Sequence, residues 1–290
     1  MSEKQETTVT NISSYRREIL NLWKNKKFKR LCKFYPMLYD KNQLRVGRCR
    51  ILFIGLNPSY SLSGFQTILK KLYEDTGYTL DKKTRQTVMN YFKHNISKEK
   101  CKHKVNVLHK WNGRVKSTQE KIMIALQNAA IRYYSYFELF KQLSSDLNVL
   151  EKEIAFIDLF NIRETKAKEI KNEFHKAKNK YFFQKQLELT IDLINIIEPQ
   201  IIIVANAFAS HIITEKSKIS LVEFSVNYDE QNPHKSTMKL RSGKSIPIFF
   251  SSMLGGQRAM DVFSRDRLLW VAKNYKLLNR FGKRSKKQTN

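Results

Sequence analysis

The chain has 290 residues, 41% of them hydrophobic, and sets 54 Lys and Arg against 26 Asp and Glu, a formal net charge of +28. This length and apolar content support a buried core and exclude a wholly disordered chain. No stretch approaches the roughly 20 apolar residues of a membrane span. The charge fits a polyanion partner, with the lysine-rich residue usage of an AT-biased genome as the plain alternative.

The polar start "MSEKQETTVTNISSYRR" lacks the apolar stretch of a signal peptide, so a cytosolic or nucleoid location and no membrane partner are expected. Residues 1–45 read as a basic tail followed by one or two helices, with Leu20, Trp23, Phe28 and Leu31 as an apolar stripe. The first core strand is expected at 50–55, where Ile51, Leu52, Phe53 and Ile54 form a run that suits a strand covered on both faces. It breaks into "GLNPS": Gly55 favours a sharp turn, Pro58 fixes φ, and Asn57 is left at the rim with its amide facing a cleft. A turn that simply contains Asn is the plain reading of the same residues.

Helical sequence "FQTILKKLYEDTG" follows, then the lysine-rich region 78–120, which reads as an insertion, then a helix or helix pair over Ile122 to Leu143. A second buried strand is expected over Ile154 to Phe160, which puts Asn161 at its carboxyl end. A helix and Pro199 lead into "QIIIVANAFASHIIT", a strand that runs into a helix, as in a β-α unit. The last core strand, "IPIFF", opens into "SSMLGGQR", a helix follows from Asp261 to Leu278, and residues 279–290 form a basic tail. The fold class expected is α/β, a three-layer α/β/α arrangement around a mainly parallel four- or five-stranded sheet. It would form a single domain over 46–278 with helical decorations.

Motifs placed past the carboxyl ends of parallel strands converge at one edge of a sheet, where α/β proteins bind ligands. The order "FIGLNPS", "FIDLFN", "EPQIIIVANAFAS" and "IPIFFSSMLGGQR" resembles the uracil-DNA glycosylase superfamily over about residues 48–275. "GLNPS" resembles the Gly-x-Asn-Pro motif of its mismatch-specific and single-strand-selective members. The resemblance implies a DNA glycosylase that flips a damaged, deaminated or modified base and hydrolyses its N-glycosidic bond, as in base-excision repair. Asn57 would position the attacking water and Asn161 would read the flipped base. Gly55, Leu56, Pro58, Ser59 and Tyr60 would line the base site, with Tyr60 or Phe65 stacking on the ring.

The last loop would probe the duplex through Met253, Leu254, Gly255, Gly256, Gln257 and Arg258, with Leu254 or Arg258 entering the stack. It departs from the family pattern, because Ser251, Ser252 and Met253 stand where the family has His-Pro-Ser. Ser252 or Gln257 is then the group that would stabilise the departing base.

The chemistry fits these residue types. Glycosidic cleavage passes through a sugar cation, so the catalyst places a water on one side and accommodates charge on the leaving base on the other. The carbonyl oxygen of an Asn can orient that water, although a neutral amide is no strong base. No metal or cofactor motif is present, and a monomer acting on DNA is expected. Two other readings use the same residues: a nucleic-acid-binding protein of this fold without turnover, and a small-molecule α/β enzyme in which the charge is incidental.

Overall fold

A computed structural model of the chain describes residues 9–56, 62–74, 81–92, 98–114, 116–164, 167–214, 224–228, 236–251 and 261–285. The helices are α1 (Ile12–Lys24), α2 (Lys41–Leu44), α3 (Leu62–Glu74), α4 (Lys82–Phe92), α5 (Lys98–His109), α6 (Ser117–Tyr133), α7 (Glu138–Asp146), α8 (Ala167–Phe174), α9 (Lys180–Ile197), α10 (Ala207–Thr214) and α11 (Val262–Ser285). The strands are β1 (Ile51–Gly55), β2 (Ile154–Asp158), β3 (Ile201–Ala205), β4 (Val226–Asn227), β5 (Thr237–Lys239) and β6 (Ser245–Ser251). This is the α/β class that the strand and helix pattern predicts. The sheet has six strands in the order β2-β1-β3-β6-β5-β4, more than the four or five expected. β1, β3 and β6 run parallel, and the excess comes from the short antiparallel β5 and β4 that precede β6 in the chain.

The chain divides into two compact units that interleave in sequence. One draws on Met1–Gln43, Asn57–Phe137 and Asp158–Ile196, the other on Leu44–Leu56, Glu138–Ile157 and Ile197–Asn290.

The second unit holds the sheet. Ile51, Leu52, Phe53 and Ile54 are all sealed from solvent, as are Ile202, Ile203 and Val204 beside them. Such continuous apolar runs are what a parallel strand covered on both faces requires. Phe53 stacks on Phe156 of β2 and meets Phe140 of α7 edge-on, with centroids 5.3 and 5.0 Å apart. α10 starts at an Asn cap: the side-chain oxygen of Asn206 accepts from the amides of Phe208 (2.9 Å) and Ala209 (3.1 Å). Asp261 does the same for α11, accepting from the Ser264 amide at 2.9 Å, and these hydrogen bonds hold its carboxyl below the usual range. α11 runs to Ser285, past the end expected at Leu278, because no proline follows and its Lys and Arg suit a helix C-terminus.

The first unit is helical. α1 opens with a capping box, in which Asn11 Oδ1 accepts from the Ser14 amide at 2.9 Å and the Ser14 hydroxyl accepts from the Asn11 amide at 3.2 Å. Its buried stripe is Ile12, Tyr15, Ile19, Leu22 and Trp23, and Leu20 lies at the margin. Arg16 ion-pairs with Glu120 of α6. The 78–120 region is tied into this unit. Lys104 Nζ donates to the carbonyls of Tyr91 (2.8 Å) and Phe92 (3.3 Å), which closes α4. Residues 33–35 are laced to 109–111 by Tyr35 N to His109 O at 2.6 Å and Trp111 N to Lys33 O at 3.1 Å.

Candidate functional site

Two places in the structure collect the residues singled out in the sequence. The first is the carboxyl edge of the parallel strands in the sheet unit. Ile54 pairs with Val204, and Ala205 with Ser251, so one row across the sheet runs Gly55, Ala205, Ser251. Strands lie about 4.8 Å apart, which sets the ends of β1 and β6 about 10 Å from each other with β3 between them. The motif loops after Gly55 and Ser251 therefore both start from one row. β2 lies on one side of β1 and β3 on the other, so the chain reverses direction across the sheet between β1 and β3, and ligands of α/β proteins bind outside the carboxyl ends at such a point.

The edge is stitched by side chains. Ser251 Oγ donates to the Val204 carbonyl at 3.0 Å, and Ser210 Oγ donates to the Ser251 carbonyl at 3.2 Å. Gly55 is still a strand residue, and Leu56 after it is buried, so the sharp turn expected at Gly55 does not occur there. Asn57, Pro58, Ser59, Tyr60, Ser252, Met253, Leu254, Gly255, Gly256, Gln257 and Arg258 lie outside the described residues.

The second place is a polar cluster in the helical unit, around the segment that follows β2. Asn161 is fully buried. Its Oδ1 accepts from the Tyr15 hydroxyl at 3.2 Å, its backbone N–H donates to Gln186 Oε1 at 2.7 Å, and its carbonyl accepts from the Met37 amide at 3.1 Å. It thus ties α1, residue 37 and α9 to one point. Its Nδ2 and the Nε2 of Gln186 are sealed from solvent and have no hydrogen-bond partner among the described residues. The base-reading role expected for Asn161 needs an amide that a ligand can reach, and the residue is instead enclosed as a structural tie.

Phe65 is likewise a core side chain. Its ring lies 4.8 Å from that of His109, which does not suit the stacking role expected of it. His109 is enclosed as well, with Nδ1 at 2.8 Å from the Val105 carbonyl, so Nδ1 carries the proton. Burial and the charge of Arg163 hold its pKa down to about 3, and the ring stays neutral.

Two charged residues, Asp158 and Arg163, flank this segment. Arg163 is buried, with Nε donating to the Tyr35 carbonyl at 3.0 Å and Nη2 directed at Met37 Sδ at 3.4 Å. In the amide orientation that satisfies both ends, Gln127 accepts from Arg163 Nη2 at 2.7 Å and donates to the Leu38 carbonyl at 3.0 Å.

Asp158 ends β2 and is half-buried, with its backbone amide donating to the Tyr39 hydroxyl at 2.9 Å. Among the described residues, nothing donates a hydrogen bond to its carboxylate. Desolvation pushes its pKa up to about 7 against the opposing pull of Arg163. The hydroxyls of Tyr15, Tyr39 and Tyr136 are held above their ordinary range, by desolvation first and then by the Asp158 charge. A perturbed acid that keeps contact with solvent and lacks a hydrogen-bond partner is a group available for chemistry. The signal was present in "FIDLFNIR", where Asp158, Asn161 and Arg163 interrupt an otherwise apolar run.

The cysteines carry no such signal. Cys32, Cys49 and Cys101 are buried, and burial raises all three thiols, Cys49 to about 12. Among the described residues, no three His, Cys, Asp or Glu side chains gather as a metal ion requires, and no helix is long and apolar enough to cross a membrane. No protein-family model matches the chain, and no curated protein sequence matches it.

Proposed function

We propose that the protein is a monofunctional DNA glycosylase, which extrudes a damaged or modified base and hydrolyses its N-glycosidic bond. The observation that carries this reading is the row Gly55, Ala205, Ser251, because the "GLNPS" and "SSMLGGQR" motifs both begin on it, on either side of β3 at one parallel edge. Glycosidic hydrolysis needs a water-positioning group on one side of the sugar and a stabiliser of the leaving base on the other. Strand ends about 10 Å apart leave room for a sugar between the residues that follow them. Asn57 is the water-positioning residue in this reading, and Ser252 or Gln257 assists the departing base.

The net charge of +28 supports DNA as the partner. Lys24, Lys26, Lys27, Lys29, Arg30 and Lys33 are all exposed along one short segment, and no acid lies among them. Such a surface suits phosphate contacts, with the protein acting as a cytosolic or nucleoid monomer.

Release of free bases from DNA carrying a panel of damaged and modified bases, followed by mass spectrometry, tests the reading. A base should be released by the wild type and not by Asn57→Ala, with DNA affinity kept. DNA binding without any release would favour the second reading, a nucleic-acid-binding protein of this fold without turnover. The missing loop histidine and the enclosure of Asn161 are the observations on that side.

A further inference from the structure

The helical unit presents an exposed ring among lysines. Tyr181, in the first turn of α9, leaves 56% of its surface to solvent. Its ring lies nearly parallel to that of Phe28, with 15° between the planes and 6.2 Å between the centroids, so the two are offset. Phe28 is buried and meets Phe182 at 4.9 Å, and Phe182 meets Trp23 of α1 at 5.4 Å. A packed aromatic cluster therefore backs the exposed ring and fixes its plane, so little side-chain freedom is lost when a ligand stacks on it.

The contact between Phe28 and Tyr181 joins two basic segments. Lys26, Lys27 and Lys29 flank Phe28, Lys178 and Lys180 precede Tyr181, and all five lysines are exposed. Among the described residues, none of the five forms an ion pair. Glu173 of α8, the acid that precedes the second segment, is already engaged by Lys176 Nζ at 2.5 Å and Asn179 Nδ2 at 2.8 Å.

Charge and ring together select the ligand. The lysines suit phosphates, and a duplex would satisfy them alone. The bases of a duplex stack on one another, however, so they offer no face to a ring on the protein surface. An unpaired DNA strand does, and a basic track with an aromatic platform is the arrangement that holds one. We infer that this surface binds single-stranded DNA, with Tyr181 as the platform on which an unpaired base stacks and the lysines on the neighbouring phosphates. The choice of DNA over RNA rests on the glycosylase reading.

Fluorescence anisotropy of the full-length protein with four labelled ligands of equal length tests this: oligodeoxycytidylate, an abasic deoxyribose-phosphate strand, oligoribocytidylate and a DNA duplex. Oligodeoxycytidylate should bind about tenfold more tightly than the abasic strand, through base stacking, and more tightly than the ribose strand. Tyr181→Leu should remove the tenfold gap and leave the abasic and duplex affinities as they are. Tyr181→Phe should keep the gap, since the ring does the stacking. Melting curves check that both variants fold. In the wild type, a DNA strand carrying 5-iodouracil should cross-link to Tyr181 on irradiation, and mass spectrometry locates the adduct.

A Tyr181→Leu variant that keeps the gap, equal affinity of the wild type for the cytidylate and abasic strands, a ribose strand bound as tightly as DNA, or cross-links confined to other residues would overturn the inference. Tyr181-dependent binding without base release from any DNA would leave it standing and remove the glycosylase reading. Base release by a protein whose strand binding ignores Tyr181 would do the reverse.

Discussion

Replacing Asp158 by Asn should stabilise the protein at alkaline pH. In the folded state desolvation raises this carboxyl from its ordinary value of 3.8 to about 7. Between those values the folded chain binds a proton that the unfolded chain does not, so stability falls as pH rises from about 4 to 7. A difference of about three in pKa corresponds to at most about 4 kcal/mol, and the side chain's partial exposure lowers the realised figure. His109 acts with the opposite sign. Its folded pKa of about 3 lies below the ordinary 6.5, so it favours the folded state increasingly as pH rises through that interval. The two contributions oppose one another in the wild type.

Asn copies the neutral acid in size and cannot ionise, so the variant keeps only the rising contribution. Chemical denaturation of both proteins at pH 4.5 and pH 8 isolates the difference, because carboxylates common to the two cancel. The variant should exceed the wild type by about 1 kcal/mol at the lower pH, where the unfolded carboxyl is already mostly ionised, and by a few kcal/mol at the higher. A variant no more stable than the wild type at pH 8 would refute a desolvated, unpaired carboxylate at this position.

Asn161→Ala should cost about 1–3 kcal/mol, because it leaves the buried Tyr15 hydroxyl without its acceptor, and melting curves should register the loss whether or not DNA is present. Arg163→Leu removes the donor that serves the Tyr35 carbonyl and Gln127, and should cost about 3–5 kcal/mol in denaturant titration, more than Arg16→Leu at the more exposed pair with Glu120. Changing Lys26, Lys27 and Lys29 together to Ala should reduce the slope of log affinity for duplex DNA against log salt by about 0.9 for each phosphate that is no longer neutralised; fluorescence anisotropy at several salt concentrations measures it, and an unchanged slope would place the DNA elsewhere. A thiol reagent should leave Cys32, Cys49 and Cys101 unmodified in the native protein and label all three after denaturation.

Periodicity made the sheet legible. Unbroken apolar runs at 51–54 and 201–205 can be satisfied only by strands covered on both faces, and both are β-strands in the structure. β4 and β5 were not separable from their surroundings, because strands of two and three residues are too short to show an alternation. The interleaving of the two units was also hidden. Local pattern reports what a segment buries, and says nothing of which distant segment buries it.

The site turns on where β2 stops. The apolar run continues through Leu159 and Phe160, which invites a strand up to Phe160 with Asn161 as the first residue beyond the sheet. The strand ends at Asp158 instead. Leu159 and Phe160 are fully buried in the helical unit, where Phe160 meets Phe183 edge-on at 4.9 Å and the Leu159 carbonyl accepts from Thr190 Oγ1 at 3.2 Å. An apolar residue that leaves a strand to enter a neighbouring cluster has the same hydropathy as one that stays in the ladder, so composition could not mark the boundary. The consequence for function is large relative to the error. Ending the strand two residues earlier carries Asn161 into the core and leaves an acid at the sheet's end.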